Sequence, residues 1–240
     1  MFSRAERRRS FLLAVLAFLL VIVIWQLPQL NGLLYPFRFF VTSVHELGHG
    51  LAALLSGGQF LSYEVFGSGA GVASTSGGNP AVIIPAGYIG TALFGAALLY
   101  LTNRTRFTKT IAFLLGILFG VLTLLFARNA TAWLAGAGSA AVLILLGWKA
   151  PRFMTTFVLN VIAMITGLNA VLDLWGLLHS LDSEVVSSLG GVPNDAYNMA
   201  QSVGILPPAG WAMIWIVISA GLLGLSAYIT FWRPLRKRRF

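Results

Sequence analysis

No cysteine occurs in the 240 residues. Disulfides and thiolate metal ligands are therefore excluded, and any bound metal must be held by His, Asp or Glu. Charge of any kind is scarce: Asp, Glu, Lys and Arg make up 10% of the chain, against roughly 25% in soluble domains. Acidic groups are scarcest, with seven Asp and Glu beside sixteen Lys and Arg, and histidine occurs three times. So few ionisable side chains leave little with which to clothe a soluble domain, and none is expected beside the apolar segments.

What the chain has instead is hydrophobic sequence, 58% of all residues. Seven passages, at about 11–27, 34–56, 80–101, 110–127, 130–148, 153–178 and 209–232, approach or reach the ~20 apolar residues that cross hydrocarbon as a helix. The expected fold is an all-α polytopic membrane protein with about six to seven transmembrane helices, a single integral membrane domain over 1–240. The first passage follows a basic head but lacks small residues for signal peptidase at Trp25-Gln26-Leu27-Pro28, so it reads as a retained helix. The net charge of +9 sits at segment ends, at Arg4 to Arg9, Arg104 to Lys109 and Arg233 to Arg239. Such ends suit anchoring in a lipid bilayer, and no nucleic-acid partner is expected. Seven full crossings would put the two basic termini on opposite sides, which points to one passage being re-entrant or miscounted.

Two connections stand out. After the second passage, Gly57 to Asn79 carries Phe60, Tyr63, Val65 and Phe66 partly alternating with polar or small residues, then Gly67-Ser68-Gly69-Ala70-Gly71. This reads as a glycine-rich β-hairpin or re-entrant loop. After the sixth, the polar loop 181–208 holds Asp182, Glu184 and Asp195, and a short helix from Ala196 to Val203 is expected behind a cap at Asn194 or Asp195.

The second passage contains His45-Glu46-Leu47-Gly48-His49. Residues four apart share a helix face, so His45 and His49 can offer two imidazoles to one metal, zinc by ligand type, with Glu46 beside them as general base for a zinc-activated water. Coincidence is a poor alternative. Each ionisable group in hydrocarbon costs about 2.5 to 3.5 kcal/mol, and here three stand within five positions. Tetrahedral zinc with two histidines and water lacks one ligand, which a carboxylate should supply. Asp173 is the other carboxylate embedded in an apolar segment, and burial cost favours it. Asp195 is the rival, in a loop that can fold back to the site, with helix capping as its ordinary role.

These residues resemble the site-2 protease family, the intramembrane zinc metallopeptidases, and particularly its compact bacterial M50B-like branch. The resemblance rests on Val44-His45-Glu46-Leu47-Gly48-His49-Gly50-Leu51-Ala52-Ala53, on Gly57-Gly58, on Ala86-Gly87-Tyr88-Ile89-Gly90 and on Asn194-Asp195-Ala196. It implies a Zn2+ cofactor, proteolysis of transmembrane protein or peptide substrates within or near the membrane, and residence in a bacterial plasma (inner) membrane. For the third ligand it points two ways. Asn169 with Leu172-Asp173 is similar to the Leu-Asp-Gly context of the wider family, except that Leu174 replaces Gly, whereas Asp195-Ala196 is similar to the compact branch. Asp173 ranks first, narrowly, with Asp195 as the alternative. A substrate strand could add to the hairpin edge between Tyr63 and Thr75, where Gly67, Gly69 and Gly71 would let its backbone approach. The competing reading is a non-catalytic metal-binding membrane scaffold.

Overall fold

The computed structural model describes residues 4–27, 29, 32, 35–180 and 194–233. The stretch 181–193, with Asp182 and Glu184, and the basic cluster 236–239 lie outside the described residues. In lipid a backbone must satisfy its own hydrogen bonds, so apolar passages become helices. They are α1 (Arg4–Gln26), α2 (Tyr35–Leu55), α3 (Pro80–Ile83), α4 (Ala86–Arg104), α5 (Thr108–Phe126), α6 (Ala130–Trp148) and α7 (Arg152–Ser180). After the undescribed stretch follow α8 (Asp195–Val203) and α9 (Pro208–Ala227), the last running on through a π turn, Tyr228–Trp232. Among the described residues, five helical stretches, beginning at Pro80, Thr108, Ala130, Arg152 and Pro208, are long and apolar enough to cross a membrane. The chain is an all-α polytopic membrane protein with one small hairpin.

Local chemistry sets the boundaries. Asn79 caps α3 by accepting from the Ala81 N–H, with Pro80 in the first turn where its missing donor costs nothing. Asn129 caps α6 through the Ala132 N–H, Asn194 caps α8 through the Tyr197 N–H, and Gly204 ends α8 at φ 68°, a left-handed conformation suited to glycine. The passage expected at about 80–101 falls in one candidate span, Pro80–Arg104, within which a turn at Ile84–Pro85 separates α3 from α4. The first helix, as described, runs from Arg4 in the basic head through the apolar passage to Gln26.

The glycine-rich connection is a hairpin of β1 (Gln59–Val65) and β2 (Gly71–Ser76), antiparallel, pairing Gln59 with Ser76 and Val65 with Gly71, with a register shift between Phe60 and Ser62. Its apolar residues Phe60, Tyr63 and Val65 are buried, and Phe60 stacks on Phe126 at 4.2 Å. The outer edge of β1 is tied to the α5–α6 turn. Arg128 N–H donates to the Tyr63 carbonyl (3.1 Å), and the Asn129 amide donates to the Val65 carbonyl (2.7 Å) while accepting from the Val65 N–H (3.3 Å). The outer edge of β2 pairs with no strand among the described residues.

Helices pack where small residues let backbones approach. A Cβ on Gly95 of α4 would lie 2.7 Å from the Gly167 nitrogen and 2.8 Å from the Ala163 carbonyl oxygen of α7. Nearby, Asn103 and Asn160 exchange side-chain hydrogen bonds across the same pair of helices, both buried. Ser226 Oγ donates to the Ala96 carbonyl at 2.6 Å, fastening the last helix to α4.

The basic ends gather at one end of the bundle. Arg152 lies 3.8 Å from Glu6, Arg9 stands over the Phe153 ring, Phe11 meets Phe231, and Lys109 donates to the Trp148 carbonyl. The start of α1 therefore sits with the starts of α5 and α7 and the end of the last helix, as the positive-inside rule favours.

Because backbone cannot move aside as a side chain can, Gly95→Ala is expected to destabilise the protein by about 1–3 kcal/mol. Gly138→Ala, whose Cβ meets nothing within 4 Å, should be neutral or slightly stabilising, as Ala is the better helix former. Thermal unfolding of both variants in detergent checks the contrast.

Candidate metal centre

On α2, His45 and His49 fall on one face by helical spacing, and that face looks toward α4, the hairpin and α7. The close approach of α2 to α4 depends on Gly48, where a Cβ would lie 2.5 Å from the Ala86 carbonyl oxygen. Just beyond, Gly87 faces both imidazoles: a Cβ there would stand 2.4 Å from His45 Nε2 and 2.5 Å from His49 Nε2. The space in front of the two ring nitrogens exists because residue 87 has no side chain.

The third group comes from α8. Asn194 already caps that helix, accepting from the Tyr197 N–H at 2.9 Å. Asp195 is thus released from the capping role that its position invites. Its Oδ2 lies 3.0 Å from His45 Nε2 and 3.3 Å from His49 Nε2. One ligand atom from each of His45, His49 and Asp195 falls within 4.8 Å of the others, a group that could hold a metal ion. Burial works to raise the Asp195 carboxyl, but the His49 and His45 imidazoles outweigh it and hold the group well below the usual carboxylate range.

The surroundings fit a metal ligand set. His49 Nδ1 donates to the Ile83 carbonyl at 2.8 Å, which fixes the ring and leaves the Nε2 lone pair directed at the shared space. The Tyr88 ring stands edge-on to His45 with centroids 4.6 Å apart, and stacks on buried Trp215 at 6.0 Å. Trp215 in turn belongs to an apolar cluster with Leu174, Ala196 and Met199, so the block that braces His45 also seats the helix carrying Asp195.

Glu46 is 4% exposed. Its Oε1 lies against the hairpin, where a Cβ on Gly71 would come within 2.5 Å of it. Thr42 Oγ1 donates to the Gly69 carbonyl at 2.6 Å and holds the hairpin tip against α2. Gly69 and Gly71 line the cavity over the centre, of about 720 Å³, and Gly67 does not. Asp173 also faces this cavity, but its carboxylate takes a hydrogen bond from the Asn169 amide and stands outside the group of three. Of the two acids weighed as third ligand, Asp195 is the one brought to the histidines.

Sequence reasoning left Gly87, Tyr88 and the Ile83 carbonyl without a role. Gly87 and Tyr88 were conspicuous only through resemblance, because a glycine that faces two imidazoles looks like any packing glycine until the opposite helix is in place.

The model of the Peptidase M50B-like family matches residues 11–226. No curated protein and no solved structure matches the chain.

Gly87→Ala should push its methyl into the space the two imidazoles share and lower the affinity for a divalent metal about tenfold or more, read as metal retained after dialysis against a competing chelator. Gly90→Ala, whose Cβ would make an ordinary 3.8 Å contact with Gly48, should retain the metal.

Proposed function

Since the chain belongs to the Peptidase M50B-like family, and so to the site-2 protease family, we propose that it is an active zinc metalloprotease that hydrolyses peptide bonds of membrane-embedded or juxtamembrane substrates. The observation that carries this reading is the convergence of His45 Nε2 and His49 Nε2 on Asp195 Oδ2, with Glu46 buried alongside. His45, His49 and Asp195 would hold the zinc. Bound there, zinc supplies a Lewis acid that makes water nucleophilic near neutral pH. Glu46 accepts the proton of the attacking water and returns it to the departing amine nitrogen. Its burial keeps bulk water from competing for that proton.

A substrate helix shields its carbonyls in its own hydrogen bonds and must unwind before attack. The unpaired edge of β2 supports a place for the unwound strand by β-addition, since Gly71, Val72, Ala73 and Thr75 line the cavity beside Glu46, whose carboxylate is itself hydrogen-bonded to the Ala73 backbone. At Gly71 a side chain would collide with Glu46, so the bare backbone there serves both substrate and base. We assign the protein to a bacterial plasma membrane, on the resemblance of its motifs to the compact bacterial branch.

Three variants test the reading. Glu46→Gln should keep zinc and lose cleavage of a helical membrane reporter by roughly 10²–10⁴-fold; undiminished cleavage would sink the proposal. Asp195→Ala should lose zinc while Asp173→Ala keeps it, and the reverse pattern would transfer the ligand role to Asp173. Zinc held by a wild type that cleaves no reporter would leave the scaffold reading in its place.

A further inference from the structure

Besides residues of α3, α4 and the α8 region, the last giving Asn194, Asp195, Asn198, Gln201 and Ser202, the cavity over the metal centre has two walls of different chemistry. Along its floor run Val41, Thr42, His45, Glu46 and His49 of α2. One wall is the backbone edge of β2. The other is α7, which presents Asn169, Ala170 and Asp173. The first wall is indifferent to side-chain identity, because backbone pairing reads only the main chain. The α7 wall carries a carboxylate.

Asp173 has no role in the ligand set described above, yet it sits in an otherwise apolar helix, where an ionisable group is costly unless it works. Its hydrogen-bond partner is the Asn169 amide, one turn back on the same helix, and this fixes the carboxylate on the cavity side. No lysine or arginine stands within ion-pair distance of it among the described residues. The guanidinium of Arg38, on α2, stands over the Tyr35 ring, outside the cavity lining and beyond ion-pair distance of Asp173, which feels its charge only at longer range. None of the residues lining the cavity is a lysine or arginine, while Glu46, Asp173 and Asp195 all line it. The site thus carries one anionic group beyond the base and the ligand, held in place and, among the described residues, with no lysine or arginine in ion-pair contact.

We propose that Asp173, positioned by Asn169, is a specificity determinant that pairs with a positive charge on the substrate close to the scissile bond. The inference rests on the protease reading and on Asp195 as third ligand. The substrate class that follows is a membrane segment with a cationic group at the edge of its apolar run. That cation is either a lysine or arginine side chain or the free amine of a chain already cut once. Clamping it against α7 would set which peptide bond of the strand on β2 reaches Glu46. The Asn169 amide, donating to one carboxylate oxygen, leaves the other free for the incoming cation.

The test uses the full-length protein in detergent and helical reporters that differ at one position. A single lysine is moved through the four residues on each side of the scissile bond, with glutamine at the same position as control. A further pair, cleaved near its N-terminus, carries a free or an acetylated amine. Wild type should prefer one cationic reporter over its neutral partner by about tenfold in kcat/KM. The register of that reporter, internal lysine or terminal amine, identifies the source of the charge. Asp173→Asn should bring the ratio close to one while zinc stays at the wild-type level, and Asp173→Lys should favour a glutamate reporter at that position. A wild type that cleaves every reporter equally, or an Asp173→Asn variant that keeps the wild-type ratio, overturns the proposal and leaves the protease reading standing. Loss of zinc in Asp173→Asn also overturns it, by making Asp173 a ligand. A wild type that cleaves no reporter fails the protease reading itself, and this proposal with it.

Discussion

An imidazole nitrogen held within an apolar bundle must find its partner in the protein, because hydrocarbon supplies none. Two such rings on α2 carry four nitrogens, and much of the architecture around them answers that demand. His49 Nδ1 donates to the Ile83 carbonyl, and both Nε2 atoms converge with Asp195 Oδ2 on one space that a metal ion could fill. The chain turns at Ile84–Pro85 before α4 begins, Gly48 and Gly87 bring α4 close enough to wall the site, and α8 is seated on an apolar cluster that ends at Trp215. None of these is a generic need of a helical membrane bundle; each is intelligible as accommodation of the two rings.

How far the site could be read in advance follows from the range over which each part is encoded. His45, Glu46 and His49 were legible because helical periodicity places them relative to one another within two turns, whatever the rest of the chain does. The third carboxylate is a long-range matter. Burial cost argued for Asp173, since that acid lies in an apolar segment, but cost identifies a residue that must be compensated and not the group that compensates it. Asp195, already the alternative from its loop and its Asp-Ala context, gains on Asp173 only with the α8 cap in view: Asn194 does the capping, and the aspartate next to it is spare. The hairpin was legible in its glycines and in the alternation of Phe60, Tyr63 and Val65. Its register shift and its attachment to Asn129 were not, because they depend on a turn more than sixty residues away.

That attachment matters for what the hairpin can offer. One side chain, Asn129, caps α6 and also binds both backbone groups of Val65, so β1 is occupied on both edges. With β1 locked between α6 and β2, the one edge left for pairing lies on the side of Glu46. The usual hazard of an unpaired strand edge, pairing with the wrong partner, is lessened here by depth in a cavity and by a length of only six residues.

The break between α3 and α4 has a consequence of another sort. Within an unbroken helix the Ile83 carbonyl would be consumed by the amide four residues on. Ending α3 after a single turn leaves that oxygen to accept from an imidazole. An interruption of this kind looks like a defect when a transmembrane segment is judged by length and apolarity alone. Here it selects the tautomer of a histidine in the candidate metal group, so a substitution that straightened the segment would make a better membrane helix and a poorer set of ligands.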